Sequence, residues 1–185
     1  SPRSKLALAI DLAYSLAPTE TIVLTAPEID EVQRTKLWDS GVKVVTHDGN
    51  FTDMLDAVGA VRAKTLIAMR DHYDDNVTLC RAALSPSLKN LSLQCKCMIE
   101  PLAEKRAFRS EDYFEAETLS RLRLFNESEL IARRIFSEFP PDANVAETDQ
   151  RVHVLLVGLS SVGQAIVQQM ARMGHYRGGL KPKIT

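Results

Sequence analysis

Hydrophobic positions follow two periods along most of the chain. Short apolar runs alternate with stretches in which apolar residues recur every three or four positions. The first pattern is typical of buried strands and the second of amphipathic helices. Strands are predicted at residues 21–24, 42–45, 65–69, 91–99, 121–125 and 152–158. Because strands and helices alternate, we expect an α/β fold: a doubly wound, Rossmann-like parallel sheet covered on both faces.

Helix limits are marked by prolines, glycines and capping residues. Pro18 is expected to end the first helix, and Pro27 to be the first residue of the second, which Gly41 ends. Asn126 is expected to cap the helix that runs to residue 139, with Glu129 as its capping-box partner. Further helices are predicted around residues 54–58, 71–84 and 115–122.

A glycine turn follows the last predicted strand. The run Gly158-Leu159-Ser160-Ser161-Val162-Gly163 keeps the spacing of G-x-G-x-x-G, with Ser160 at the middle position. The first glycine would allow a tight turn and the last a close approach of helix to strand. Free N–H groups at the helix start, with the hydroxyls of Ser160 and Ser161, could hold a phosphate. The alternative is a turn that only packs, with Ser160 filling the space.

Composition narrows the class of protein. The 185 residues are 45% hydrophobic and 25% charged, with a net charge of −1, which is usual for a globular protein and gives no general attraction to nucleic acid.

Three cysteines cannot all pair internally, so free thiols are expected. Cys95 and Cys97 lack further ligands for zinc, and His72 lies among acidic residues that are usual at a helix start. No metal site and no catalytic set of residues is predicted.

The stretch from residue 47 to 77, HDGNFTDMLDAVGAVRAKTLIAMRDHYDDNV, resembles the TrkA-N/RCK family of nucleotide-binding regulators of potassium channels and transporters. The matching positions are Asp48, Leu55, Ala63 and Asn76, with Asn50 where threonine is usual. The resemblance covers about residues 5–139. Tandem units occur in this family, including the related CASTOR/POLLUX-type channels, and the glycine turn is similar to the start of a second unit.

The resemblance implies three domain limits. Residues 1–139 would form a Rossmann-like domain that lacks its first strand, residues 140–150 a linker, and residues 151–185 the truncated start of a second domain. The chain is therefore expected to be a fragment of a longer protein. His47 stands in place of the family's glycine, and residues 24–27 carry no carboxylate where one normally binds a ribose.

The resemblance also implies candidate binding residues. Asp48, Gly49 and Asn50 would lie near an adenosine, and Met69 and Arg70 at the end of the next strand. Structural alternatives exist for three residues of this region. Asp48 could cap local N–H groups, Arg70 could be a solvated charge, and Asn76 could form hydrogen bonds with the backbone. The cofactor would be NAD(H) or another adenine nucleotide such as ATP or ADP.

The function expected from this resemblance is nucleotide sensing without catalysis, on the cytosolic side of a potassium channel or transporter. The expected partners are a membrane-embedded pore or transporter domain, in the same or another chain, and a second copy of the chain. Nucleic acid is not an expected partner. The apolar side of helix 127–139, with Leu130, Ile131 and Ile135, could pair subunits or cover its own sheet. Alternatives are a fragment of an NAD(P)-dependent oxidoreductase and a signalling sensor with no channel.

Overall fold

The computed structural model describes residues 4–26, 29–47, 50–100, 116–141, 152–173 and 182–185. The seven strands in this part of the chain are β1 (Ile22–Ala26), β2 (Val42–Thr46), β3 (Thr65–Ala68), β4 (Gln94–Met98), β5 (Leu122–Phe125), β6 (His153–Val154) and β7 (Lys183–Ile184). The α-helices there are α1 (Lys5–Leu16), α2 (Glu31–Asp39), α3 (Phe51–Ala57), α4 (Tyr73–Leu84), α5 (Ala116–Leu119), α6 (Glu127–Glu138) and α7 (Ser161–Met173).

The strands form three small sheets. β1 pairs with β2, β3 and β4 are neighbours in the order β3-β4-β5, and β6 pairs with β7. The pairs β1–β2, β3–β4 and β6–β7 are parallel. The chain therefore has the predicted α/β fold, with parallel sheets compatible with a Rossmann-like arrangement.

Two compact units divide the chain. The first contains Ser1–Met98 and Glu111–Leu124, and the second contains Ile99–Ser110 and Phe125–Thr185. By its contacts α6 belongs to the second unit, although the sequence prediction ended the first domain at residue 139. The predicted linker at residues 140–150 lies largely outside the described residues.

The first unit has a core between α1, α2 and the β1–β2 sheet. Ile10 and Ala13 of α1 pack with Leu24 of β1, and Leu37 of α2 packs with Val42 of β2. Ser4 caps α1, because its hydroxyl accepts a hydrogen bond from the Ala7 N–H at 3.2 Å. These contacts fix a helix against each of the two strands.

The second helix begins at Glu31 and not at Pro27, so that prediction was wrong. The carboxylate of Asp30 accepts a hydrogen bond from the Gln33 N–H at 2.8 Å and makes Asp30 the N-cap. A side-chain acceptor that satisfies a first-turn N–H stabilises a helix start, and Asp30 supplies it here. Pro27 itself lies outside the described residues.

The second unit has a core between α6, α7 and the β6–β7 pair. Phe136, Val152 and Met170 are buried together, with Val154 and Ile184 against them. Leu130 and Ile131 are exposed, because the buried side of α6 is formed by Ser128, Glu129, Ala132 and Phe136. The side chains of Leu130 and Ile131 therefore do not cover the sheet of this unit.

Candidate functional site

The glycine turn uses its two glycines for different physical reasons. Gly158 has φ +93°, and nothing lies within 4 Å of the position that a Cβ would take. Backbone conformation, and not space, therefore favours glycine at residue 158. At Gly163 a Cβ would lie 2.8 Å from the carbonyl oxygen of Gly158, closer than real Cβ contacts. The positive φ fits the tight turn predicted at Gly158, whereas the contact at Gly163 is with the turn itself, because β6 ends at Val154.

Ser160 caps α7. Its hydroxyl oxygen accepts a hydrogen bond from the Gly163 N–H at 3.3 Å, and its carbonyl accepts one from the Gln164 N–H at 2.8 Å. Both Ser160 and Ser161 are exposed. Within the described part of the chain, the N–H groups of Ser161 and Val162 have no acceptor, as expected for the first turn of a helix. These two donors lie in the first turn of α7, at the positive end of its helix dipole.

Three exposed apolar residues lie in and before the turn. Leu155, Val157 and Leu159 are exposed, and Val157 retains 91% of its accessible surface. The sequence from residue 164 to 185 contains no Asp or Glu. An anion at this turn would therefore meet no local charge repulsion from that stretch.

A second group of predicted site residues lies at the strand ends of the first unit. Asn50 caps α3, because its side-chain oxygen accepts a hydrogen bond from the Asp53 N–H at 2.9 Å. Arg70 follows β3, and its guanidinium lies 5.5 Å from the ring centroid of Phe51, the residue after Asn50. The structure thus brings the segment after β2 next to the segment after β3. Asp48 and Gly49 lie outside the described residues.

The Arg70 side chain already has a partner. Its Nε lies 3.4 Å from a carboxylate oxygen of Asp75, and the two side chains retain 34% and 42% of their accessible surface. A partly exposed ion pair of this kind contributes at most about 1 kcal/mol. An incoming phosphate could therefore exchange with Asp75 at small cost. Met69, beside it, is half-buried.

Asn76 holds the Arg70 backbone in place. Its side-chain oxygen accepts from the Arg70 N–H at 2.6 Å, and its amide donates to the carbonyls of Arg70 and Met98, each at 3.1 Å. The side chain is 1% exposed, so no ligand can reach it. Of the two interpretations left open by the sequence, the backbone role of Asn76 is confirmed.

Sequence reasoning missed the role of Asn90. Its buried amide donates to the carbonyls of Ala60 and Ala63 at 3.0 and 2.9 Å, and its oxygen accepts from the Ser92 N–H at 3.2 Å. It joins the start of β4 to the turn before β3. The partners lie about thirty positions earlier in the chain, beyond the reach of a local pattern.

All three cysteines carry free thiols, as predicted, and all are buried in the first unit. Hydrogen bonding to the thiols of Cys95 and Cys97, together with burial, raises the pKa of Cys80. A protonated, buried thiol is not a nucleophile at neutral pH. Among the described residues, no group of three or more His, Cys, Asp or Glu side chains is arranged to hold a metal ion.

Comparisons with known proteins do not identify this chain, since no family model, curated protein or solved structure matches it. In the described residues, no helix combines the length and the apolar character needed to cross a membrane.

Proposed function

We propose that this chain senses an adenine nucleotide and responds by changing conformation, with no bond made or broken. One observation carries the proposal. The first turn of α7 lies so close to the preceding turn that a Cβ at Gly163 would meet the Gly158 carbonyl oxygen. In the described part of the chain, the N–H groups of Ser161 and Val162 have no acceptor. A strand-to-helix turn of this form supplies the donors that phosphate groups require.

The residues of the turn fit a phosphate group. Ser160 adds a Cβ and a hydroxyl where a dinucleotide turn has glycine, and this residue is exposed. Its hydroxyl could turn from the Gly163 N–H to a phosphate oxygen and leave that N–H as a third donor. The chain would hold and orient the anion, and the bound nucleotide would supply only charge and shape.

In the first unit, Arg70 is the residue that would bind phosphate by exchanging its Asp75 partner. Met69 precedes it in the chain, and the ring of Phe51, the residue after Asn50, lies 5.5 Å from its guanidinium. The described end of β1 carries Thr25 and Ala26 and no carboxylate for a ribose, so the proposal does not depend on the NAD(H) pattern of recognition. ATP and ADP are equally suitable ligands.

The finer proposal is a regulatory domain of the TrkA-N/RCK kind that acts on a potassium channel or transporter from its cytosolic side. It rests on the resemblance of residues 47–77. The exposed Leu130 and Ile131 on α6 support a contact between two copies of the chain. Sequence upstream of Ser1 tests a pore domain in the same chain, because several apolar spans of about 20 residues would support it and their absence would place any pore in a separate chain.

Calorimetric titration tests the sensing function. NAD, NADH, ATP, ADP and a cyclic dinucleotide would each be titrated into the purified 185-residue chain. We expect at least one to bind with a Kd below about 100 μM, which corresponds to about 5.5 kcal/mol. A ligand that drives a switch must bind the two conformations unequally, so its binding should also change hydrogen exchange away from the turn. Failure of all five to bind would contradict the proposal.

A further inference from the structure

Two sheets of the first unit present unpaired edges to one groove. Among the described strands, β1 pairs only with β2, and β3 pairs only with β4. Residues 21–25, at and before β1, and residues 65 and 67–70, at and after β3, line the same groove. Each edge carries backbone N–H and C=O groups without a ladder partner, which is the arrangement that takes up an added strand.

The remaining walls of the groove are apolar. They are formed by Ala9, Leu12, Ala13 and Leu16 of α1 and by Leu79 of α4. The cavity volume is about 210 Å³, below the range of roughly 300–1,000 Å³ that is usual for small-molecule pockets. Apart from Arg70, which follows β3, the backbone edges on two sides and the apolar side chains of the helices fit an extended apolar segment.

Neither edge has the features that protect a true sheet edge. The strands IVLTA and TLIA contain no lysine and no proline. Natural edge strands commonly carry such residues because they block pairing with another chain. Continuous apolar sequence is instead typical of strands inside a parallel sheet.

The order of elements indicates where the missing strand comes from. β1, α2 and β2 form a β-α-β unit in which α2 packs beside β2, the strand that follows it. α1 packs against β1 in the same way and leads directly into it. A helix that leads into a parallel strand is normally the crossover from a neighbouring strand. β2 already occupies one side of β1, so the neighbour belongs in the groove.

The far side of the groove supports the same conclusion. The chain passes from β2 through α3 to β3, yet β3 does not pair with β2. In an open α/β sheet this is where strand order reverses, on either side of a central strand. β1 and β3 would be the two neighbours of that strand.

We propose that the groove binds one apolar β-strand, supplied by the polypeptide directly ahead of α1, which pairs with β1 and β3 and joins the two sheets. The strand would be about five residues long to match β1, and apolar throughout because both of its faces would be covered. The proposal does not depend on nucleotide binding.

Hydrogen exchange tests the groove. The 185-residue chain would be compared with a version extended ahead of Ser1 by the strand Val-Ile-Val-Val-Val and a glycine-rich turn. A matched control carries proline at the second and fourth strand positions, since proline cannot donate to a ladder. Amides of residues 22–26 and 65–68 would be followed, with residues 42–46 of β2 as the internal reference, because β2 does not line the groove.

We expect the extension to slow exchange at least tenfold at amides of both β1 and β3, and the proline control to leave it unchanged. Exchange in β2 should change much less. Unchanged exchange at β1 and β3, equal slowing by the proline control, or slowing that extends equally to β2 would each overturn the proposal.

Discussion

The two candidate sites of this chain differ in what forms them: the backbone forms one, and side chains form the other. The glycine turn of the second unit depends on its backbone. The lack of a Cβ at Gly158 and Gly163 permits the turn, and first-turn N–H groups of α7 have no acceptor in the described part of the chain. The strand ends of the first unit depend on side chains: Asn76 holds the backbone of Arg70, and Asp75 and Phe51 position its guanidinium. Substitutions that add side-chain atoms should therefore destabilise the glycine turn, whereas substitutions that remove side-chain atoms should disrupt the strand ends of the first unit.

Replacement of Asn76 by alanine should have the largest effect. It leaves backbone groups of Arg70 and Met98 without partners inside the first unit. Each unsatisfied buried group costs about 1–3 kcal/mol, so we expect a total loss of about 2–4 kcal/mol. The three buried cysteines report opening of this unit selectively, and their reaction with a thiol reagent should become about 30-fold faster or more.

Thr78→Ala provides the control, because Thr78 is exposed on the same helix. Its thiol reaction rate should stay near that of the wild-type chain. Equal rates for the Asn76→Ala variant and this control would show that the asparagine contacts do not hold the first unit together.

Gly163→Ala should have the next largest effect, now in the second unit. The new Cβ meets the Gly158 carbonyl oxygen, a backbone atom that cannot rotate away. Overpacking costs about 1–3 kcal/mol, while alanine in place of a helical glycine gains at most about 1 kcal/mol, so a net destabilisation is expected. Urea unfolding followed by circular dichroism measures it.

The exposed neighbour Gln164, changed to alanine, is the matched control for Gly163→Ala. A Gly163→Ala variant as stable as this control would contradict the close approach of α7 to the Gly158 carbonyl. The thiol reaction rate should be unaffected by either change, since the cysteines belong to the first unit.

Gly158→Ala should cost less, about 1–2 kcal/mol, because only the positive φ is unfavourable and no neighbouring atom is met. Gly158→Asn should be milder than Gly158→Ala, since asparagine tolerates this region of φ better. Thermal unfolding of the two variants gives the comparison. Equal losses for asparagine and alanine would indicate that sterics, and not φ, fix this residue.

Ser160→Ala should have the smallest effect on stability, about 0.5–1 kcal/mol, because it removes one N-cap hydrogen bond of 3.3 Å. Thermal unfolding measures this loss, and Ser160→Thr, which keeps the hydroxyl, should restore most of it. A threonine variant no more stable than the alanine variant would argue against the capping role.

The difference between the sites also explains what the sequence could predict. Gly158 and Gly163 stand at a recognisable spacing between an apolar run and a helix, so their geometry followed from local sterics. Asn126 was predicted as a cap from its local context, and its oxygen does accept from the Glu129 N–H at 3.2 Å. Alternation of strands and helices was sufficient for the α/β fold, because burial of apolar faces decides it.

Other features depend on residues far apart in the chain. Asn126 also donates to the Ile99 carbonyl at 2.8 Å, and Asn90 bonds Ala60 and Ala63, contacts that no local pattern encodes. The strand predicted at residues 152–158 is only His153–Val154, because the length of a strand depends on its partner, here β7. The absence of a first strand was expected from the resemblance, whereas the groove between β1 and β3 could be located only after the sheets were placed.

The most direct test of nucleotide sensing separates the backbone donor of Ser161 from its hydroxyl. Proline suits the first helical position and removes the N–H, whereas Ser161→Ala removes only the hydroxyl. A hydrogen bond to a charged group contributes about 1.5–3 kcal/mol, so calorimetry with the tightest adenine nucleotide should show at least about tenfold weaker binding for Ser161→Pro. The Ser161→Ala variant should bind within about threefold of the wild-type chain. Equal affinities for the proline and alanine variants would contradict the account.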